Sequence, residues 1–226
     1  MKLSIVIPVY NEVNTILKVI ESVRELEIEK EIVVVDDNSQ DGTRNLLEKL
    51  SYPDLKVIFH DTNKGKGAAL RTGFNNISGD IVVIQDADLE YDPNDLLPML
   101  ELINNGVADV VYGSRFYGNP HRVLLFYHYM GNRLISFLIN LLFNLNLTDI
   151  EVGYKMFKSS ILKDLTLRCD DFGFEVEFTA KIAKLNYRIY EIGISYYGRT
   201  YEEGKKINWK DGIKAHYYIF RFRFFN

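Results

Sequence analysis

The sequence predicts an α/β fold, a mainly parallel sheet with helices packed on both faces. Three observations lead there. Short, almost continuously apolar runs recur through the first half of the chain, amphipathic stretches lie between them, and a polar loop follows each run. Strands buried on both faces read as continuous apolar runs. Their alternation with helices implies parallel pairing through crossovers.

The expected strands are Leu3–Val9, Ile32–Val35, Lys56–Phe59, Ile81–Ile84 and Asp109–Tyr112. The first begins almost at Met1 and is followed by no small-residue cleavage site, so it reads as a core strand rather than a leader. Between the strands, Thr15–Leu26 carries Ile16, Ile20, Val23 and Leu26 at helical spacing, and Thr43–Leu50 and Lys66–Asn75 follow as helices. Asp92-Pro93 has the form of an N-cap with proline at the first helical position. Pro98 would break or kink that helix, which moves its expected start later.

Beyond residue 115 the pattern changes. Val123–Leu147 is strongly apolar and predicts a helix, Gly153–Phe157 and Tyr187–Ile194 predict strands, and Phe174–Leu185 predicts another helix. His128, Arg133 and four asparagines interrupt Val123–Leu147, so it does not read as a membrane span. The tail from His216 to Asn226 sets six aromatic residues among two arginines.

The chain has 226 residues, 47% of them hydrophobic and 26% charged, which suits a globular domain and excludes disorder. Its single cysteine, Cys169, allows no internal disulfide. Residues 1–180 carry 17 Lys and Arg against 27 Asp and Glu, while residues 181–226 carry 10 against 4. A net of −10 followed by +6 points the C-terminal part toward something anionic.

In open α/β sheets, ligands bind beyond the carboxyl ends of the strands. All five strand ends here are polar. They run into Tyr10-Asn11-Glu12, Asp36-Asp37 with Asn38–Thr43, Asp61–Gly67, Asp86-Ala87-Asp88 with Glu90, and Ser114-Arg115. Asp86 and Asp88, one residue apart on a turning backbone, can meet around one hard divalent cation, with Glu90 as a third oxygen donor. Such a cation would neutralise a diphosphate leaving group. Asp37 suits the hydroxyls of a ribose, and Asn63–Gly67 offers lysines and bare backbone at a helix start, an expected anion region. Asp37–Glu48 also approximates a calcium-binding EF-hand loop, but a strand rather than a helix precedes it.

Taken in order, Pro8–Glu12, Asp36–Thr43, Asn63-x-Gly65-Lys66-Gly67-x-Ala69, Asp86–Leu89 and Gly113-Ser114-Arg115 resemble the successive motifs of family 2 glycosyltransferases. Asp149-x-x-x-Gly153-Tyr154-Lys155-x-Phe157, Phe172–Glu177 and Arg199 to Lys205 extend the resemblance, which is nearest to dolichyl-phosphate mannose synthases and bacterial polyprenyl-phosphate glycosyltransferases. It implies a GT-A (Rossmann-like) fold in a single domain spanning 1–226. The nucleotide-sugar half would be about 1–115, and an acceptor and membrane-facing half with C-terminal amphipathic interface helices would be about 116–226.

It further implies that Pro8, Tyr10 and Glu12 line the nucleotide, Val35 and Asp37 hold the base and ribose, and Ala87 touches the nucleotide through its backbone. Asp86, Asp88 and Glu90 would bind Mg²⁺ or Mn²⁺, and Arg115, Arg133, Arg199 and Lys205 would handle phosphates. Asp149 would orient the nucleophile or serve as a buried structural carboxylate. The processive Gln-x-x-Arg-Trp signature is absent, since Trp209 sits in Asn208-Trp209-Lys210, which argues for transfer of a single sugar.

The expected activity is inverting transfer of one hexose from GDP-mannose or a UDP-hexose to a dolichyl or undecaprenyl phosphate, at the cytoplasmic membrane face, with no nucleic-acid partner. The alternatives are a soluble glycan or protein acceptor, and, more remotely, a non-catalytic nucleotide- or Ca²⁺-binding module.

Overall fold

The computed structural model describes residues 1–118, 120–123, 125–200 and 209–225. Seven strands form one sheet in the order β3-β2-β1-β4-β6-β5-β7. They are β1 (Leu3–Val9), β2 (Lys30–Asp36), β3 (Leu55–Phe59), β4 (Ile81–Ile84), β5 (Val110–Ser114), β6 (Lys155–Lys158) and β7 (Ile189–Gly193). The pairs β1–β2, β2–β3, β1–β4 and β5–β7 are parallel. Only β6 runs the other way, antiparallel to β4 on one side and β5 on the other. Because β6 is reversed, the turn that enters it lies at the carboxyl edge of its neighbours. Residues 149–153 therefore arrive at the same edge as the loops after β1, β2 and β4.

β1 and β4 sit in the middle of the sheet, and Leu3, Ile5, Val6, Ile7 and all four residues of β4 are buried. The helices are α1 (Ile16–Arg24), α2 (Thr43–Leu47), α3 (Lys66–Phe74), α4 (Leu96–Asn104), α5 (Phe126–Phe143), α6 (Phe174–Lys184) and α7 (Trp209–Phe224). α1 buries Ile16, Val19, Ile20 and Val23, the spacing of a single helical face.

The region around Pro98 resolves as a later helix start. Asp92 accepts from the Asn94 amide and caps a short 3₁₀ turn over Pro93–Asp95, and α4 begins only at Leu96. Pro98 is then the third residue of α4, where no backbone N–H is needed for an intrahelical bond, so the helix does not break.

Two helices end with apolar side chains on both sides. α5 buries Ile135, Ile139 and Phe143 but exposes Phe126, Met130, Leu134, Phe137 and Leu141, a second stripe at three- and four-residue spacing. α7 packs against α5 and α6 through Ala215, Ile219 and Phe222, while Ile213, Tyr217, Phe220 and Phe224 face solvent. Among the described residues, no helix is long and apolar enough to cross a membrane.

Candidate active site

The strand ends converge on a cavity of about 1110 Å³. Its lining combines Pro8, Tyr10, Glu12 and Asp37 from the first two strand ends with Asp86, Ala87, Asp88 and Glu90 from the fourth. Arg115, Glu151, Glu175 and Arg199 complete the polar wall. Around the start of α5 the lining is mixed, with apolar Val123, Leu125, Phe126 and Tyr129 beside His121, Arg122, His128 and Asn132.

The loop after β1 is held by the loop after β2. Asn11 adopts a left-handed backbone, its amide donates to Ser39 Oγ at 2.9 Å, and its side-chain oxygen accepts from the Gln40 amide at 2.8 Å. The Glu12 amide donates to Thr43 Oγ1, and the Val13 amide donates to Asp41. Asp41 also accepts from the amide and hydroxyl of Thr43. The density of Asp, Asn and Ser that imitated a calcium loop is therefore spent on backbone donors.

Asp37 is also used structurally. Its carboxylate meets His60 Nδ1 at 2.7 Å and accepts from the Lys64 and Gly65 amides at 2.9 and 2.7 Å, while the residue still lines the cavity. Val35, expected near the base, is fully buried in the sheet and packs with Val33 and Ala69, outside the cavity lining. Val35 lies within β2, whereas Asp37 follows its last residue, in the loop that reaches the cavity.

In the expected anion region at Asn63–Gly67, Asn63, Gly65 and Lys66 line the cavity, but the helix-start amides are already taken. The Asp170 carbonyl accepts from the Gly67 and Ala68 amides at 2.8 and 3.2 Å, so the first turn of α3 is capped by the protein's own backbone. The glycines permit this approach, because a Cβ on Gly65 or Gly67 would overlap the backbone of Cys169 and Asp170. Lys66 instead turns to the acids, 2.8 Å from Asp86 and 3.2 Å from Glu175. Burial works against its charge, but Asp86 and Glu175 hold the ammonium above its ordinary pKa.

Arg199 spans carboxylates from two strand ends. Its Nη2 lies 2.7 Å from Asp88, its Nε 3.3 Å from Glu90, and its Nη1 3.4 Å from Glu12. Burial first, and then the charges of Asp86 and Glu90, push the Asp88 pKa up to about 7, with Arg199 pulling the other way. Glu90 is further occupied by the Arg199 amide and the Tyr196 hydroxyl. The three-carboxylate metal cluster is thus not assembled. Among the described residues, no three His, Cys, Asp or Glu side chains gather to hold an ion. Asp86 and Asp88 still fit a hard divalent cation, because they are oxygen donors whose mutual charge is only partly offset. Mg²⁺ commonly takes one or two carboxylates and completes its shell with water and substrate phosphate.

Arg115 and Asp149 form a buried bidentate pair, Nε to Oδ2 at 2.7 Å and Nη2 to Oδ1 at 2.8 Å. Asp149 also accepts from the Arg115 amide. Arg115 lines the cavity, whereas Asp149 is fully buried behind it and does not. Asp149 thus stands behind Arg115, holding its guanidinium and not itself reaching the cavity. Arg133 is exposed on α5 and lies outside the cavity lining, and Lys205 falls outside the described residues.

Several contributors went unmarked at the level of sequence. Tyr91 meets Tyr154 and Tyr196 in tilted ring contacts, with centroids 4.7 and 5.8 Å away. The Arg115 guanidinium lies 5.4 Å from the Tyr196 ring. Nothing local announces an aromatic group assembled from residues this far apart in the chain. Gly153 carries a clearer signal, since it belongs to a quoted motif. A Cβ there would strike the Asp86 carboxylate and the Tyr91 ring.

A model of the family described as "Glycosyl transferase family 2" matches residues 4–166. The chain belongs to glycosyl transferase family 2. This family 2 chain is 30% identical over 217 residues to an undecaprenyl-phosphate mannosyltransferase of Micrococcus luteus, covering 91% of this chain and 87% of that protein. It is 39% identical over 120 residues to a dolichol-phosphate mannosyltransferase of Pyrococcus furiosus, covering 51% of this chain and 34% of that longer protein. Among solved structures, glucosyl-3-phosphoglycerate synthase of Mycobacterium tuberculosis, in complex with Mn²⁺, UDP and phosphoglyceric acid, superposes with a TM-score of 0.74. It is 18% identical, covers 100% of this chain and 79% of its own, and establishes the GT-A-like fold of this family 2 member.

Proposed function

We propose that the protein transfers one hexose from a nucleotide sugar to a polyprenyl phosphate at a membrane surface, with inversion at the anomeric carbon. One observation carries this reading. A single cavity runs from the carboxylates after β4, past Arg115, to the start of α5, where exposed apolar side chains such as Val123 and Phe126 stand among His121, Arg122 and His128. A sugar diphosphate needs the first end, and a phosphate on a hydrocarbon chain needs the second. The M. luteus and P. furiosus relatives, an undecaprenyl-phosphate and a dolichol-phosphate mannosyltransferase, agree with that pairing.

The nucleotide would lie along Pro8, Tyr10, Glu12 and Asp37, with Ala87 presenting backbone to it. Asp88 with Asp86 would hold Mg²⁺ or Mn²⁺, which when bound supplies positive charge to the departing diphosphate. Arg115, fixed by Asp149, presents a guanidinium whose orientation is already set, which favours phosphate binding without reorganisation. The acceptor phosphate has a second pKa of about 6 and is largely ionised near neutrality. It needs no strong base, and the protein's task is to bring phosphate and anomeric carbon into line. The exposed stripe of α5, the outer face of α7 and the Arg221 and Arg223 cations suit the headgroup layer of an anionic bilayer.

The test is a radiolabelled panel of GDP-mannose and UDP-hexoses against undecaprenyl and dolichyl phosphate, with Mg²⁺ or Mn²⁺. Transfer to lipid that is lost in Asp88→Ala is expected. No transfer from any donor would sink the reading. Sedimentation with anionic liposomes separates the lipid acceptor from a soluble glycan or protein, for which binding to vesicles is not expected.

A further inference from the structure

Glu151 was named by no motif, yet it occupies the centre of the polar wall. It belongs to the turn that enters β6. Two residues earlier, Asp149 fixes Arg115. Two residues later, the bare backbone of Gly153 lies against Asp86. The turn thus touches a phosphate-facing cation at one end and a metal-facing carboxylate at the other, and Glu151 lines the cavity between them.

The other acids of this wall are engaged. Asp86 has Lys66, Asp88 and Glu90 have Arg199, and Asp149 has Arg115. Glu175 pairs through Oε2 with Lys155, and its Oε1 lies 3.2 Å from Lys66 without forming a hydrogen bond, so it keeps two cations where Glu151 has none in ion-pair range among the described residues. Glu151 Oε1 is sealed from solvent and meets no hydrogen-bond partner among the described residues. Leaving a buried carboxylate oxygen unsatisfied is costly, so a rotation of this cavity-lining side chain that brings the oxygen to a hydrogen-bond donor in the cavity is favoured. Burial, and then the charge of Glu175, push its pKa up to about 7, while Lys155 and Arg115 draw it down.

We infer that Glu151 is a donor-sugar residue, whose carboxylate takes hydrogen bonds from hydroxyls of the hexose being transferred. The inference rests on the nucleotide-sugar reading above and deepens it. The nucleotide is served by the first two strand ends and the diphosphate by Asp86, Asp88 and the arginines. The part of the donor without an assigned partner is the sugar, and its hydroxyls are the donors that an acceptor-only carboxylate needs. A carboxylate can accept from two neighbouring hydroxyls at once, which would make Glu151 sensitive to the position of each. Rejection of an analogue lacking a hydroxyl is strong where a buried polar group is left unpaired.

The experiment needs no acceptor. Binding of GDP and GDP-mannose, and of UDP and UDP-glucose, is measured by calorimetry with Mn²⁺ for the wild-type protein, Glu151→Ala and the near-isosteric Glu151→Gln. Both variants should bind the nucleoside diphosphates within about twofold of wild type. Glu151→Ala should weaken the preferred nucleotide sugar about tenfold, the scale of one hydrogen bond to a charged group, and Glu151→Gln should restore part of that loss. Deoxy analogues of that donor should lose affinity for the wild type at one or two ring positions and lose none further for Glu151→Ala. Equal affinity of wild type and Glu151→Ala for the nucleotide sugar, or identical deoxy penalties in both, overturns the inference and leaves the glycosyltransferase reading standing. A wild-type protein that binds none of these nucleotide sugars overturns both.

Discussion

Gly67 and Gly131 are both helical glycines, and the structure assigns opposite signs to the same substitution at the two sites. Gly67 is the second residue of α3, and a Cβ there would overlap the Cys169 carbonyl oxygen and crowd that of Asp171. The obstacle is backbone, so no side chain can swing aside. Forcing the segment away costs about 1–3 kcal/mol in overpacking. It also strips the Gly67 and Ala68 amides of the Asp170 carbonyl, about 1 kcal/mol for each hydrogen bond. The gain in helix propensity returns at most about 1 kcal/mol.

Gly67→Ala should therefore destabilise by about 2–4 kcal/mol, or roughly 6–12 °C for a 3 kcal/mol loss in a chain of this size. Gly131 lies inside α5, and nothing would stand within 4 Å of its Cβ. Gly131→Ala should stabilise by about 0.5–1 kcal/mol. Thermal and urea unfolding followed by circular dichroism measure both. A Gly67→Ala protein as stable as Gly131→Ala would refute the close approach of residues 169–171 to α3. The same substitution should reduce activity, because that segment leads directly into Phe172 and Glu175 of the cavity wall.

Other outcomes follow from the same geometry. Asp88→Asn should lower transfer by at least about 100-fold, the scale for losing a preorganised charge at the leaving group, with the fold intact by circular dichroism. Gly153→Ala should push the Asp86 carboxylate off Lys66 and raise the Mn²⁺ concentration needed for half-maximal activity, whereas an unchanged metal titration would contradict the packing seen there. Asp149→Ala should cost about 3–5 kcal/mol, because it strands a buried guanidinium, and urea titration measures it. Glu31 supplies a pH signature. Burial opposes its charge, but hydrogen bonds from Ser4, Ser78 and Lys2 bring its pKa from 4.5 down to about 2. A carboxyl depressed in the folded state adds stability that is complete above its unfolded pKa and is lost as pH falls through the folded one. Wild-type stability should thus decline between about pH 4.5 and 2 more steeply than that of Glu31→Gln.

The elements that could be read from sequence were those with local causes. β1 and β4 match their apolar runs residue for residue, because strands buried on both faces are almost continuously apolar, Ser4 in β1 being the one polar residue. The cluster of acids after β4 was legible for the same reason, since its place at a strand end comes from one uninterrupted stretch of chain. What escaped was everything set by distant contacts. No spacing rule says that the Asp170 carbonyl caps α3, that Arg199 bridges Glu12 to Asp88, or that Asp149 stands behind Arg115. Arg133 was assigned on resemblance alone, and its helix carries it to an exposed position. Glu151 lacked a signal because an isolated acid in a turn resembles any solvated loop residue.

The reversed strand β6 has a consequence for the order in which the molecule can be built during synthesis. β5 hydrogen-bonds only to β6 and β7, and both arise later in the chain. As the polypeptide emerges, β3, β2, β1 and β4 can close on one another, but Val110–Ser114 must wait with unpaired edges until Lys155–Lys158 arrives between it and β4. A cut after residue 115 would leave the first part of the chain with an orphaned strand, a bare β4 edge and an uncapped α3. Unpaired edges of this kind invite wrong association. The last strand to enter the middle of the sheet also delivers the turn bearing Asp149, Glu151 and Gly153. The cavity therefore cannot be complete before β6 is in place, and Glu175, Tyr196 and Arg199, which also line it, arrive later still.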